Sequence, residues 1–341
     1  MPDAYPRIAI VGATGAVGRE ALAILAQRAV SPERILALGS ARSAGAAISY
    51  LDAHLPVHEL RDDAIPGCDL ALFCADADTA LRFAPRFAAR GSLVVDNSSA
   101  FRTDPSVPLV VPEINGHLLD ADPPPRIVAN PNCSTIMLLV ALEPIRRALG
   151  VRAITVSTYQ AVSGAGAAGV DELLAHTRAA AGGQTAPTSV FPEPCALNVF
   201  PHESPLDTVT GFNGEERKMI AESRRVWSDP TLSVLPTCVR VPVLRAHAQS
   251  VVVDLDAPTT RAELETILSG APGVRLVDNP TPLKATGRDD VLVGRVRLDP
   301  DSGRPGAGRR ALLWLCADQL RKGAALNTIQ IADRVAMALT N

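Results

Sequence analysis

The sequence predicts an α/β protein: a doubly wound N-terminal domain on a parallel sheet, followed by an α+β domain on a mixed or antiparallel sheet. Its 341 residues exceed what one hydrophobic core usually organises, so two domains are expected. Up to about residue 130, short β-rich runs alternate with helical patterns, as in a parallel sheet with helices on both faces. After Gly150 the strand-like runs become alternating or β-branched, as in a sheet covered on one face.

Arg7–Val11 reads as the first strand. It runs into Gly12-Ala13-Thr14-Gly15-Ala16-Val17-Gly18 and then an alanine-rich helical pattern through Ala29. Strand, glycine turn and helix have the order of a dinucleotide-binding unit, where glycines let the backbone approach a pyrophosphate at a helix N-terminus. The spacing is G-x-x-G-x-x-G rather than G-x-G-x-x-G, and an ordinary strand-helix turn is the alternative. Ile35–Leu38 is the second strand. Gly39-Ser40-Ala41-Arg42-Ser43-Ala44-Gly45 follows it without the acid that an NAD site places against the ribose 2′-hydroxyl. A guanidinium and hydroxyls suit a 2′-phosphate, so NADP is the expected cofactor; a solvated loop with a stray arginine is the bland reading.

Strands at Leu70–Cys74 and Leu93–Asp96 flank a helix containing Ala80–Arg90. In the second part, Ala153–Thr158, Val251–Asp256, Val291–Leu298 and Ala311–Cys316 read as strands. Leu320–Leu339 has the spacing of an amphipathic helix that would return to the first domain. The expected division is residues 1–130, rejoined by 319–341, and residues 131–318. Asp122–Pro125 and Asp299–Gly308 read as loops.

A formal charge of −3 argues against a nucleic-acid binder, and a 47% hydrophobic fraction is that of a soluble globular chain. Met1–Arg7 has no apolar core of signal-peptide length, and no apolar run reaches spanning length without a charge or breaker, so no membrane association is expected. Cys68, Cys74, Cys133, Cys195, Cys238 and Cys316 are scattered, with no C-x-x-C pair. This reads as a reducing compartment, the cytoplasm, and no metal site.

The run Asn130-Pro131-Asn132-Cys133-Ser134-Thr135 ends an extended segment and opens the apolar stretch Ile136–Leu142. The proline favours a turn, so the thiol should fall in the first turn of a helix, near unpaired backbone N–H groups. Those donors and the helix dipole favour the reactive thiolate. A buried core cysteine is the other reading.

The chain resembles the aspartate-semialdehyde dehydrogenase family along nearly its whole length. The matching stretches are Gly12 to Gly18, Arg42 to Gly45, Asp96-Asn97-Ser98-Ser99-Ala100-Phe101-Arg102, Val110 to Asn115, and Asn130 to Thr135. They continue with Ser157 to Gly166, Arg240-Val241-Pro242-Val243 with His247, and Arg321 to Asn327.

The resemblance implies NADPH-dependent reduction of 4-phospho-L-aspartate to L-aspartate 4-semialdehyde and phosphate, on the route to lysine, threonine, methionine and diaminopimelate. It makes Cys133 the nucleophile that carries a thioester, His247 the acid/base and Gln160 the residue that orients the substrate. Arg240 would hold the substrate α-carboxylate, Glu215 its ammonium, and Arg102, Asn132 and Lys218 its phosphate. Gly12 and Thr14, Gly15, Ala16 and Val17 would lie under the cofactor pyrophosphate, Arg42 and Ser43 at its 2′-phosphate, and Ser163, Gly164 and Gln319 near its nicotinamide. The implied partners are a small-molecule substrate and phosphate, and a second copy in a homodimer joined through the second domain. Glu215 and Lys218, three apart, can share one helix face; a mixed-charge run such as Glu215-Glu216-Arg217-Lys218 otherwise marks a solvated helix face.

Some residues depart from the family pattern. Ala75-Asp76-Ala77-Asp78-Thr79 replaces a Gly-Gly-Ser, putting two carboxylates where cofactor phosphates are expected. Arg245-Ala246-His247-Ala248-Gln249 replaces Gly-His-Ser-Glu, and Gln319 replaces an Asn. A divergent paralogue acting on another acyl phosphate or acyl thioester, or a non-catalytic one kept for assembly or regulation, is the alternative. Retention of Cys133, Gln160, Arg240 and His247 together speaks against the non-catalytic one.

Overall fold

The protein is described by a computed structural model covering residues 6–300 and 307–339. Residues 1–5 of the stretch Met1–Arg7 and 301–306 of the expected loop Asp299–Gly308 lie outside the described residues. The chain forms two compact units, Met1–Asn132 with Ala324–Asn341, and Cys133–Gly323.

The first unit is of the Rossmann type. Its strands are β1 (Ile8–Val11), β2 (Ile35–Gly39), β3 (Ala47–Tyr50), β4 (Ala53–Glu59), β5 (Leu70–Phe73), β6 (Leu93–Asp96) and β7 (Ile127–Ala129), in the spatial order β3-β4-β2-β1-β5-β6-β7. All pairings are parallel except the β3–β4 hairpin at the edge. Every residue of β1, β5 and β6 is buried, because helices cover both faces. The hairpin, which the periodicity did not announce, instead alternates exposed and buried residues along β3.

Helix α1 (Ala16–Gln27) starts at Gly15, with no side-chain cap and no acid in its first turn. Helix α2 (Ala77–Ala89) starts three residues before the expected span, because Asp76 caps it by accepting the Thr79 N–H at 2.9 Å. A short helix, α3 (Pro112–Asn115), follows β6.

The second unit is an α+β layer on a mixed seven-stranded sheet. Its elements are α4 (Cys133–Leu149), β8 (Val151–Gln160), α5 (Gly166–Ala181), β9 (Phe200–Pro201), α6 (Gly214–Val226), β10 (Ser233–Arg240), β11 (His247–Leu255), α7 (Arg261–Leu268), β12 (Val274–Leu276), α8 (Pro282–Ala285), β13 (Val291–Leu298) and β14 (Arg310–Ala317). The strand order is β12-β13-β14-β11-β8-β10-β9. Twelve of the α4 residues are buried, which explains the unbroken apolar run after Cys133. The long connection after α5 is pinned by Glu172, whose carboxylate accepts from Ser189, Val190 and Phe191, and by His176, whose Nδ1 accepts the Cys195 N–H.

The chain then closes on the first unit through a π-helical turn, Arg321–Ala325, and helix α9 (Leu326–Leu339). Leu326, Ile329, Ile331, Ala332 and Val335 join the first unit's core beside Leu22, Leu25 and Leu72.

Candidate active site

Three neighbouring strands deliver the main side chains of the second unit to one end of its sheet. β10 runs parallel to β8, with Arg240 opposite Gln160, and β11 runs antiparallel to β8, with Ala248 opposite Tyr159. Arg240 and Gln160 therefore close their strands where His247 opens its own. The histidine is itself a strand residue and does not merely precede the expected strand Val251–Asp256, because the ladder to β14 begins at His247 with Ala317. All three side chains are buried.

Cys133 opens α4 and is half-buried. The Gln249 Nε2 donates to the Ser134 carbonyl at 2.8 Å, tying β11 to the first turn of α4 on the face that His247 shares. Gly323 packs so closely that a Cβ there would lie 2.6 Å from the Cys133 Cβ. Burial pushes the thiols of Cys74, Cys238 and Cys316 up to about 12 and that of Cys195 to about 11. Cys68 is also raised by burial. Such thiols stay protonated and unreactive at neutral pH.

The Gln160 Nε2 donates to the Ser134 Oγ at 2.6 Å and to the Glu215 Oε1 at 3.0 Å, while its Oε1 is buried with no hydrogen-bond partner among the described residues. The Glu215 carboxylate fixes the amide orientation, since it can only accept. Lys218 sits 3.3 Å from Glu215, with 40% of its side chain exposed against 7% for the acid. Glu216 is buried too: it completes the capping box of α6 with Asn213 and accepts the Cys238 N–H of β10 at 3.0 Å. The charged run therefore ties α6 to the sheet instead of marking a solvated face.

The Ala161 N–H donates to the His247 Nδ1 at 3.0 Å. A backbone amide can only donate, so in the neutral ring the hydrogen resides on Nε2. Burial, with the Arg240 charge second, pulls this histidine from the ordinary 6.5 to about 3. Ala246, at φ +71, donates its N–H to the Gln319 Oε1 at 2.8 Å, and the Gln319 Nε2 donates to the Ser163 Oγ at 2.5 Å. The amide thus bridges Ser163 to the residue before the histidine. Gly164 leaves room there: a Cβ would come within 3.4 Å of the Arg240 Nη1 and 3.7 Å of the His247 Nε2.

In the first unit, Gly12 has φ +82, and a Cβ there would lie 2.6 Å from the Cys74 carbonyl oxygen. Only glycine fits this turn, which brings the bare N-terminus of α1 to the C-terminal end of β1 in the middle of the sheet. The Thr14 Oγ1 donates to the Ser43 Oγ at 3.3 Å, joining the glycine loop, with Ala16 and Val17 at its helical end, to the loop after β2. Arg42 is exposed, with no hydrogen bond or ion pair among the described residues. Asp76 is held by α2, its carboxylate lowered mainly by the Thr79 amide. Arg102 donates from Nε to the Asn130 carbonyl at 2.9 Å and from Nη2 to the Asn97 carbonyl at 2.8 Å, and Asn132 is buried.

Sequence reasoning passed over Ser134, Gln249, Asp318 and Glu203. Ser134 lay beside the cysteine and was readable as part of its motif. Asp318, fully buried, accepts from Arg245 and the Gly287 N–H, and nothing in its local sequence announced this. Glu203, which pairs with Arg240, stands in an irregular stretch without periodicity.

Two family models cover the chain: semialdehyde dehydrogenase, NAD binding domain, over residues 7–121, and semialdehyde dehydrogenase, dimerisation domain, over residues 142–322. Aspartate-semialdehyde dehydrogenase of Synechocystis sp. is 43% identical over 333 residues, covering 96% of each chain. That of Aquifex aeolicus is 41% identical over 337 residues, covering 96% of this chain and 97% of its own. The crystal structure of aspartate semialdehyde dehydrogenase II from Vibrio cholerae complexed with ASA has a TM-score of 0.91 and 39% identity, covering 97% of this chain and 98% of its own. No helix among the described residues is long and apolar enough to cross a membrane.

Proposed function

The chain belongs to the aspartate-semialdehyde dehydrogenase family, and from that premise we propose that it reduces 4-phospho-L-aspartate to L-aspartate 4-semialdehyde through a thioester on Cys133, with NADPH as reductant. The reading rests above all on one arrangement: Gln160, Arg240 and His247 delivered by adjacent strands to one end of a sheet, with the first turn of α4 tied to that sheet by Gln160 and Gln249.

The Cys133 thiolate attacks the acyl carbon, forming a C–S bond as the C–O bond to phosphate breaks. The cofactor, when bound, supplies a hydride to the thioester carbon. The thiohemiacetal oxygen then carries the negative charge until its C=O bond re-forms and expels the thiolate. The only proton consumed is the one phosphate takes up. His247 need not remove a proton at any of these steps. We assign its Nε2–H as a neutral hydrogen-bond donor to that oxygen, because Nδ1 is already committed to the Ala161 amide. Gln160, pinned through Nε2, offers its unpartnered Oε1 to a donor of the substrate. Arg240 holds the α-carboxylate, Glu215 the ammonium, and Lys218, with Arg102 and Asn132, the phosphate.

The first unit fits a nicotinamide dinucleotide: Gly12 admits the close turn, and the α1 N-terminus has no competing side-chain cap. Arg42, Ser43 and Thr14 would receive the 2′-phosphate of NADP, with Ser163, Gly164 and Gln319 at the nicotinamide. The open face of the second sheet carries the cross-strand row Leu235, Thr155, Val252 and Leu312, with Leu235 54% exposed, and would meet a second copy in a homodimer.

NADPH formation from L-aspartate 4-semialdehyde, measured with and without phosphate, tests the reaction. Turnover that requires phosphate supports it; no turnover, or turnover indifferent to phosphate, refutes it.

A further inference from the structure

Arg240 is 3% exposed in its side chain, and three of its five N–H groups already donate to acceptors among the described residues. Nε and Nη2 both donate to the Glu203 carboxylate, at 3.3 and 2.5 Å, Nη1 donates to the Ala161 carbonyl at 2.7 Å, and Nη2 lies 3.2 Å from the His202 Nε2. The guanidinium carbon stands 5.2 Å from the Phe191 ring centroid, so one face of the group is covered as well. A substrate carboxylate needs two parallel N–H groups for the two-pronged contact; Glu203 holds the Nε and Nη2 pair, Nη1 has given a hydrogen to Ala161, and Nη2 also faces the His202 ring at 3.2 Å.

One present partner must therefore give way. The Ala161 carbonyl is fixed at the end of β8, beside the amide that holds His247. Glu203 is on a side chain 21% exposed, in the irregular segment after β9, and has solvent to move into. It is also an anion. A second carboxylate arriving while Glu203 stayed in place would set two negative charges on one guanidinium.

We propose that Glu203 is a resident stand-in for the substrate α-carboxylate, neutralising Arg240 while the site is empty and yielding its two N–H groups when the amino-acid substrate docks. An unpaired buried guanidinium would be strongly unfavourable, which is why the stand-in is there. The Glu203 carboxylate is opposed by burial but held below its usual range by the Arg240 hydrogen bond and charge, so it is ionised at neutral pH. Binding is then an exchange of one carboxylate for another, and Glu203 sets the substrate affinity.

The inference rests on Arg240 as the α-carboxylate anchor, and the test separates the two. Steady-state constants for L-aspartate 4-semialdehyde are measured for the wild type, Glu203→Gln and Glu203→Ala, with calorimetric titration of L-aspartate as a probe that needs no turnover. Loss of a charge-assisted competitor should lower KM and the L-aspartate Kd in Glu203→Ala by about tenfold, and in the isosteric Glu203→Gln by a few-fold, the effect falling on KM rather than kcat. Constants that rise or stay level in both variants overturn it and make Glu203 a permanent support of Arg240. An Arg240→Leu variant that binds L-aspartate as well as the wild type does removes the anchor reading itself, and the stand-in with it.

Discussion

His247 illustrates how one hydrogen bond decides what a side chain can do. With Nδ1 engaged by the Ala161 amide and the ring drawn down to about 3, chiefly by burial, the imidazole is neutral throughout the working range and presents a hydrogen from Nε2. The charged or titrating groups acting on it are Arg240, Glu215 and His202, and of these only Glu215 favours the protonated ring. His247→Ala should lower kcat by roughly 10²–10³, the usual effect of deleting one donor to a developing oxyanion, and His247→Gln should recover part of it through its amide N–H. No step near pH 6.5 should appear in the kcat profile that either substitution removes. A profile in which the wild type loses activity below pH 6.5 and both variants do not would restore the histidine as a base. The identity of this residue was legible in the resemblance, but its tautomer was not. Nothing in Arg245-Ala246-His247 reveals that a backbone amide 86 residues earlier points at its ring.

Elements were legible where a local pattern decides them. The glycine turn into α1, the strand Leu93–Asp96 and the strand Val291–Leu298 follow from composition alone, because each is held by its own periodicity and flanking breakers. β10 was not legible, although it carries Arg240: Pro236 within it argues against a strand, and the tertiary pairing with β8 overrides that preference. In α6 the helix face shared by Glu215 and Lys218 was legible but its burial was not: the charged run reads as solvated until the capping box and the bond to the Cys238 amide are seen. The loop after β2 makes a prediction of its own. Arg42 has no competing ion pair among the described residues, so its charge is available to a 2′-phosphate. Asp76, expected from the sequence to oppose the cofactor, is engaged as the cap of α2. Titration of both cofactors should show NADP preferred over NAD. Arg42→Ala should remove most of that preference by weakening NADP by about one to two decades, with NAD unchanged. Equal wild-type affinities for the two cofactors would end the NADP assignment and leave the dehydrogenase reading standing.

The chain as a whole folds into two units. The first unit ends at Asn132 and the second begins with Cys133; the second ends at Gly323, whose missing side chain lets the π-helical turn pack on that cysteine. Single π-helical turns are frequent at functional sites. In the proposed reaction Cys133 carries the acyl group. Wild-type enzyme mixed with 4-phospho-L-aspartate in the absence of NADPH, quenched in acid and digested, should show by mass spectrometry an added aspartyl group on the Cys133 peptide alone. The adduct should vanish when NADPH is supplied before the quench and should never form in Cys133→Ser. An enzyme that turns over without this adduct, or a Cys133→Ser protein that still turns over, would rule out a thioester on Cys133.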